Sequence, residues 1–287
     1  RAGCYEASYR KSVAGGGIMK KPRHFIGKSS FHKDFGDLFV RLAERHGRHE
    51  VWSDFITMSA CALSNAGDTR FQQEREALYL ASVKRYTKDE ADMLAQMLAY
   101  VIMALEENPE QDFLGEMFSG LNLHNEWRGQ FFTPYHVGSF MAAINIESAK
   151  EELKQKECIT VNDCCCGAGC LLIAFANEAR KAKIDFQNRV VFVAQDLDFI
   201  AAMMCYIQLS LLGCKAVVKV GNSLTDPFVP ADLEGNDVWY TPMYTCGKLF
   251  QLMSMMNNKE VSDNGDEEIV SENSVEDRQE VEGKVSA

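Results

Sequence analysis

Residues 159–172 read ITVNDCCCGAGCLL. A β-branched run leads to an acid, three adjacent cysteines, a Gly-Ala-Gly turn and then a leucine-rich helical pattern. That order predicts a strand over 159–163, a tight turn, and a helix over 168–182. Three adjacent thiols at such a turn leave three readings: metal ligands, redox groups, or small residues lining the floor of a cofactor site.

The same alternation continues downstream. NRVVFVAQD (188–196) predicts a second strand, residues 198–212 a helix, 215–220 a third strand and 237–240 a short fourth. Continuous apolar strands between amphipathic helices imply an α/β fold, a parallel sheet covered by helices on both faces. Upstream, GQFFTPYHVGSFMAAI (129–144) offers Thr133 as a helix N-cap and Pro134 at the first helical position, where its missing N–H costs nothing.

Residues 31–125 predict a small helical domain. Thr87-Lys88-Asp89-Glu90 is a capping box. Leu94, Met97, Leu98, Val101 and Leu105 follow at helical spacing, and Asn108-Pro109 stops the pattern. Trp52, Phe55, Leu78 and Leu80 predict further packed helices, and ERHGRHE (44–50) reads as a solvated helix end. The chain therefore divides into an irregular basic segment (1–30), the helical domain (31–125), an α/β domain (126–257) and an acidic disordered tail (258–287). Met19 is a candidate natural start, which makes the first 18 residues an upstream extension.

Composition sets limits on function. With 287 residues, 46% of them hydrophobic, the chain suits one or two domains with a sizeable core. No apolar run approaches the roughly 20 residues of a membrane span, and no signal-peptide pattern is present, so a cytoplasmic location is expected and no membrane. The ten cysteines sit mostly inside hydrophobic patterns and read as reduced, buried thiols. Cys166 and Cys170 lack the paired spacing and the histidine of a zinc site, so no metal is expected. The formal charge is −11; residues 1–30 carry seven Lys/Arg against one acid, residues 258–287 three against ten. That balance argues against strong independent binding to nucleic acid.

The strand ends carry the chemistry. In a doubly wound sheet ligands bind outside the carboxyl ends of the strands. Gly167 and Gly169 remove side chains beside the first strand end, and the N–H groups of the next helix turn can meet a carboxylate or phosphate. Leu172 breaks the full dinucleotide G-x-G-x-x-G, and no Walker lysine is present. Asp196, ending the second strand, is either a ribose ligand or a helix cap. Gly221-Asn222-Ser223 ends the third strand with polar groups suited to an adenine ring. Together the three ends describe an adenosine-shaped ligand.

GQFFTP (129–134), DCCCGAGCLL (163–172), AQDLD (194–198) and GNSL (221–224) resemble, in that order, the S-adenosyl-L-methionine motifs of N-6 adenine-specific DNA methyltransferases. The modification subunit of type I restriction systems is the nearest likeness, and it covers about residues 31–245. The resemblance implies a Rossmann-like S-adenosylmethionine-dependent methyltransferase sheet behind a small helical domain. It implies methyl transfer to the N-6 amine of adenine in DNA, sequence choice through a partner specificity subunit, and a homo- or hetero-oligomer. By position, Phe132, Thr133 and Pro134 would touch the methionine part of the cofactor. Asp163, Cys164, Gly167 and Gly169 would form the floor, Asp196 and Leu197 would hold the ribose, and Asn222 and Ser223 would meet the adenine. Cys166 takes the family's cysteine position.

In the family an Asn/Asp-Pro-Pro-Phe/Tyr motif follows the fourth strand and holds the flipped base. NDVWYTPMYT (236–245) puts Thr241, Pro242 and Tyr244 in those catalytic places. Threonine is shorter than asparagine and lacks its planar amide; losing one such acceptor typically costs about a hundredfold, by analogy with oxyanion-hole donors. The sheet is expected to have about four strands, because little foldable pattern follows residue 245. Two readings result: an adenine-specific methyltransferase, or a catalytically inactive cofactor-binding partner or regulatory protein of the same family. Methylation of protein or RNA is a third, more distant one.

Overall fold

The structure, a computed structural model, describes residues 29–123, 132–229 and 237–246. The basic segment up to residue 28, residues 129–131 of GQFFTP, and the acidic tail lie outside the described residues.

Five described helices come first: α1 Ser30–His46, α2 Arg48–Asn65, α3 Gln72–Val83, α4 Lys88–Glu107 and α5 Phe113–Gly120. Gly47, at φ +80°, breaks α1 from α2 within the ERHGRHE stretch. The capping box forms at the start of α4: Glu90 N–H donates to the Thr87 hydroxyl, and the Glu90 carboxylate accepts the Thr87 N–H. Leu94, Met97, Val101 and Leu105 face the core, and α4 ends at Glu107, before Asn108-Pro109. Trp52 and Phe55 are buried, but Leu78 and Leu80 are 40% and 42% exposed. α3 turns a different stripe inward, burying Arg75 and Ser82, because Arg75 finds acceptors in Asp68 and in the Val238 carbonyl.

Then come α6 Tyr135–Gln155, β1 Ile159–Asp163, α7 Cys170–Lys181, α8 Phe186–Arg189, β2 Val190–Asp196, α9 Phe199–Leu211, β3 Ala216–Val220, β4 Val238–Tyr240 and α10 Pro242–Thr245. The sheet order is β1-β2-β3-β4. β1 and β2 run parallel from Ile159↔Val190 to Asp163↔Ala194, and β2 and β3 from Phe192↔Ala216 to Asp196↔Val220. β4 is antiparallel to β3, with Val217↔Tyr240 and Lys219↔Val238, so the sheet is mixed and not wholly parallel. α7 and α9 provide the crossovers of the parallel pairs. The described residues between β3 and β4 form turns without a helix, and an antiparallel neighbour needs no helical crossover.

One buried cluster runs from Phe35, Trp52 and Met97 through Phe192 and Tyr206 to Trp239, so the helical part and the sheet share a core. Gln208, on the mostly apolar α9, is its polar bolt. Its side-chain amide donates to Asp112 Oδ1 (2.8 Å) and to the Ala168 carbonyl (2.9 Å), while its Oε1 accepts the Leu114 N–H (3.1 Å). A buried amide with all these partners is stabilising where an unsatisfied one would cost about 1–3 kcal/mol. No described helix is long and apolar enough to cross a membrane.

Candidate functional site

The register brings the carboxyl ends of β1, β2 and β3 to one edge. There the glycine turn is laced to β2: Cys166 N–H donates to the Gln195 carbonyl (3.0 Å), and Gly167 N–H to Asp196 Oδ2 (2.8 Å). The Asp196 carbonyl accepts the Gly221 N–H (2.9 Å), so one residue ties together the turns after β1 and after β3. Asp196 Oδ1 accepts the Asp198 N–H (2.9 Å). The cap of α9 is Asp198, whose carboxylate accepts from Ile200 and Ala201. Of the two roles open to Asp196, helix capping therefore belongs to its neighbour.

Burial raises the Asp196 carboxyl above its ordinary value. Burial also raises Asp163, helped by the charge of Asp196 nearby, while the Cys165 N–H (3.1 Å) opposes the shift. The edge is thus acidic, suited to hydroxyl, amine or cationic groups.

Both glycines adopt positive φ, +53° at Gly167 and +96° at Gly169. A Cβ at Gly167 would lie 3.0 Å from the Phe132 ring, and one at Gly169 would lie 2.8 Å from Cys205 Sγ. The space that they free is therefore taken by the protein itself, Phe132 on one side and α9 on the other, and not left to a ligand. What remains is a cleft of about 60 Å³ lined by Phe132, Thr133, Asp163, Cys165, Cys166 and the first turn of α7. Pockets for small molecules usually span about 300–1,000 Å³, so a nucleoside needs Phe132 to shift or must lie across the open shelf alongside. The leading N–H groups of α7 have no intrahelical acceptors and point a partial positive charge at this cleft.

The shelf continues onto the turn after β3. Asn222 is exposed, and its Oδ1 accepts the Leu224 N–H (2.9 Å). Leu197 and Leu224 are exposed, at 62% and 90%. Three residues absent from the sequence-derived site hold this turn. Gln195 Nε2 donates to the Asp226 carbonyl (2.8 Å), Gln195 Oε1 accepts the Phe228 N–H (3.0 Å), and Lys219 pairs with Asp226 (2.7 Å). Gln195 and Lys219 are nearly fully buried. Their polarity inside apolar strands was the available signal.

Thr133 and Pro134 are exposed at the start of α6. The N-cap is Pro134, one residue later than expected, and Thr133 makes no cap; Val137 and Gly138 N–H donate to the Pro134 carbonyl. α6 docks on α7 through Gly138, where a Cβ would lie 3.0 Å from Cys170 Sγ. Cys164 and Cys165 are exposed, whereas Cys166 is buried, as is Cys205. Among the described residues no group of three or more His, Cys, Asp or Glu side chains is arranged to hold a metal ion.

The structure does not bring Thr241, Pro242 and Tyr244 to this edge. Antiparallel pairing carries β4 back down β3, so Thr241 sits at the start of β3. It is fully buried, its hydroxyl donating to the Cys214 carbonyl (2.7 Å) and accepting the Ala216 N–H (2.9 Å). Between it and Gly221 lies the length of β3, roughly 15 Å at the usual rise per residue. Pro242 packs on Gly67, and Tyr244 stacks on Tyr240 (4.5 Å, 6°), with Arg70 over the Tyr240 ring at 3.8 Å. The expected base-stacking tyrosine is thus committed to an internal contact, because the direction of β4, not the motif's spacing, fixes which end it reaches.

A family model described as N-6 DNA methylase matches residues 110–271 of the 287. The match takes in the glycine turn, Asp196, Asn222 and Thr241. No curated protein and no solved structure matches the chain.

Proposed function

Because the chain belongs to the N-6 DNA methylase family, we propose that the edge formed by β1–β3 binds S-adenosyl-L-methionine. We further propose that the protein serves methyl transfer to the N-6 amine of adenine in DNA, as a modification component of a restriction–modification system. The observation that carries this reading is the double tie of Asp196 to Gly167 and Gly221, which holds the ends of β1, β2 and β3 together at one edge.

The residues suit the group chemically. When bound, the cofactor supplies an electrophilic methyl group. Each Asp196 oxygen that takes a backbone N–H keeps a further lone pair for a ribose hydroxyl. The first turn of α7 offers N–H groups to the methionine carboxylate, and the acidic Asp163 suits its ammonium. Asn222 and Ser223 would meet the adenine edge. Phe132, lying against Gly167, would form one wall of the cleft. Sequence choice falls to a partner specificity subunit, consistent with a net charge of −11, and a cytoplasmic assembly is the setting we propose.

One observation favours a second reading, cofactor binding without transfer: Thr241 is buried at the opposite end of β3. Tritiated methyl transfer to unmethylated DNA, with and without added specificity partner, separates the two. Incorporation that is lost on Asp196→Ala supports the enzyme. Cofactor binding without incorporation supports the second reading, and absence of cofactor binding refutes both.

A further inference from the structure

We propose that Cys164 and Cys165 form a two-thiol modification site on the lip of the shelf, closing reversibly to a disulfide with a low-molecular-weight disulfide as oxidant. Both residues lie in the turn after β1 and both are exposed. The two thiols are sequence neighbours: burial and Cys164 push the Cys165 thiol up, while the Ser223 hydroxyl on the turn after β3 pulls it down. The other thiols near the turn are enclosed: Cys166 and Cys205 face each other in the core, and Cys170 faces Gly138. The lip therefore separates one reachable pair from three sheltered neighbours.

The exchange balances without further reagents. One protein thiolate attacks a sulfur of the small disulfide, whose S–S bond breaks to release one small thiolate. The second protein thiolate attacks the mixed disulfide, forming the Cys164–Cys165 bond and releasing the other small thiolate. The two protein thiols are oxidised, the small disulfide is reduced to two thiols, and the two thiol protons end on them.

Geometry makes the bond labile. Adjacent Cα atoms lie about 3.8 Å apart, shorter than the roughly 4.4–6.8 Å usual for disulfides, so the ring is strained. Strained, exposed disulfides are the easily reduced, regulatory kind. Closing the ring draws Cys165 from Ser223 and disturbs its N–H bond to Asp163. The two turns that flank the shelf are thereby uncoupled. The effect on cofactor rests on the function proposed above; the thiol chemistry does not.

The test treats the reduced protein with oxidised glutathione, followed by intact mass and peptide mapping, then calorimetry with S-adenosylmethionine. The expected mass change is loss of two hydrogens, mapped to Cys164–Cys165, absent in Cys164→Ser and Cys165→Ser, and reversed by dithiothreitol. Stable glutathione adducts without an internal bond, or oxidation mapped to Cys166–Cys205, would overturn the site. In protein that binds cofactor when reduced, the oxidised form is expected to bind at least about tenfold more weakly. Unchanged affinity would overturn the coupling between the thiol pair and the shelf. Failure of the reduced protein to bind counts against the cofactor reading, and the mass measurement still decides the thiol site.

Discussion

The Asp196 carboxylate accepts the Gly167 N–H at 2.8 Å, joining the end of β2 to the glycine turn after β1. With the Gly221 N–H on its carbonyl, Asp196 ties the turns after β1 and after β3 to the end of β2. The neighbouring positions make distinct predictions.

Gly169→Ala should destabilise the protein. Its φ of +96° is hostile to L-residues, and its Cβ would meet Cys205 Sγ at 2.8 Å and Cys205 Cα at 3.3 Å. Backbone strain and overpacking together should cost about 2–4 kcal/mol, read as a lower urea midpoint with unchanged slope. A loss below half a kcal/mol would show that α9 is not packed against this turn.

Phe132→Ala should speed cofactor association. The ring lines the cleft beside Gly167, and its edge contact with Phe118 (5.3 Å) holds it there. Stopped-flow binding is expected to show a faster on-rate and an undiminished affinity. An affinity loss beyond about tenfold would instead make Phe132 a direct contact.

Thr241→Asn should not create activity, despite restoring the family residue. The site is fully buried, its hydroxyl bonded to the Cys214 carbonyl just before β3 and to the Ala216 N–H at its start. The bulkier amide cannot reproduce them and should cost about 1–3 kcal/mol. Thr241→Val, which keeps the shape and orphans the Ala216 N–H, should cost a similar amount. Methyl transfer gained by Thr241→Asn would mean that β4 reaches the shelf.

Asp163 and Asp68 should shape the pH dependence of stability in opposite senses. Burial raises Asp163 above its unfolded value of 3.8, so its contribution is full below that value and is lost as pH rises through the folded one. Burial also pushes Asp68 up, but hydrogen bonds and charge from Arg70 and Arg75 outweigh it and hold the group low. Its contribution is present above 3.8 and is lost as pH falls through the lowered value. Denaturant midpoints taken from acid to neutral pH should therefore lose an acid-side gain in Asp163→Asn and a neutral-side gain in Asp68→Asn. The same slope in both variants would contradict the assignment.

Much of this arrangement is legible in the residues. The apolar runs of β1, β2 and β3, the capping box before α4 and the stop at Asn108-Pro109 announce their elements, since local periodicity and capping dictate them. Three features are not local and are not legible. VWYTPMYT holds no signal for which edge, or which direction, β4 will take. Glycine at 167 and 169 announces a turn, but that Phe132 and Cys205 occupy the freed space depends on elements far along the chain. Leu78 and Leu80 read as core, yet the buried Arg75 with its partners turns α3 the other way. In the site itself, Asp163, Asp196 and Asn222 stand out as strand-end residues. Gln195, Lys219 and Gln208 show their roles only once their distant partners are known.

The central claim is that Asp196 organises a cofactor shelf, and titration calorimetry with S-adenosylmethionine on wild type and Asp196→Ala tests it most directly, with thermal melts confirming that both are folded. Saturable binding by the wild type, weakened at least about tenfold in the variant, is the expected result. No heat and no thermal stabilisation of the wild type at millimolar cofactor, or equal affinity in the two proteins, would contradict it.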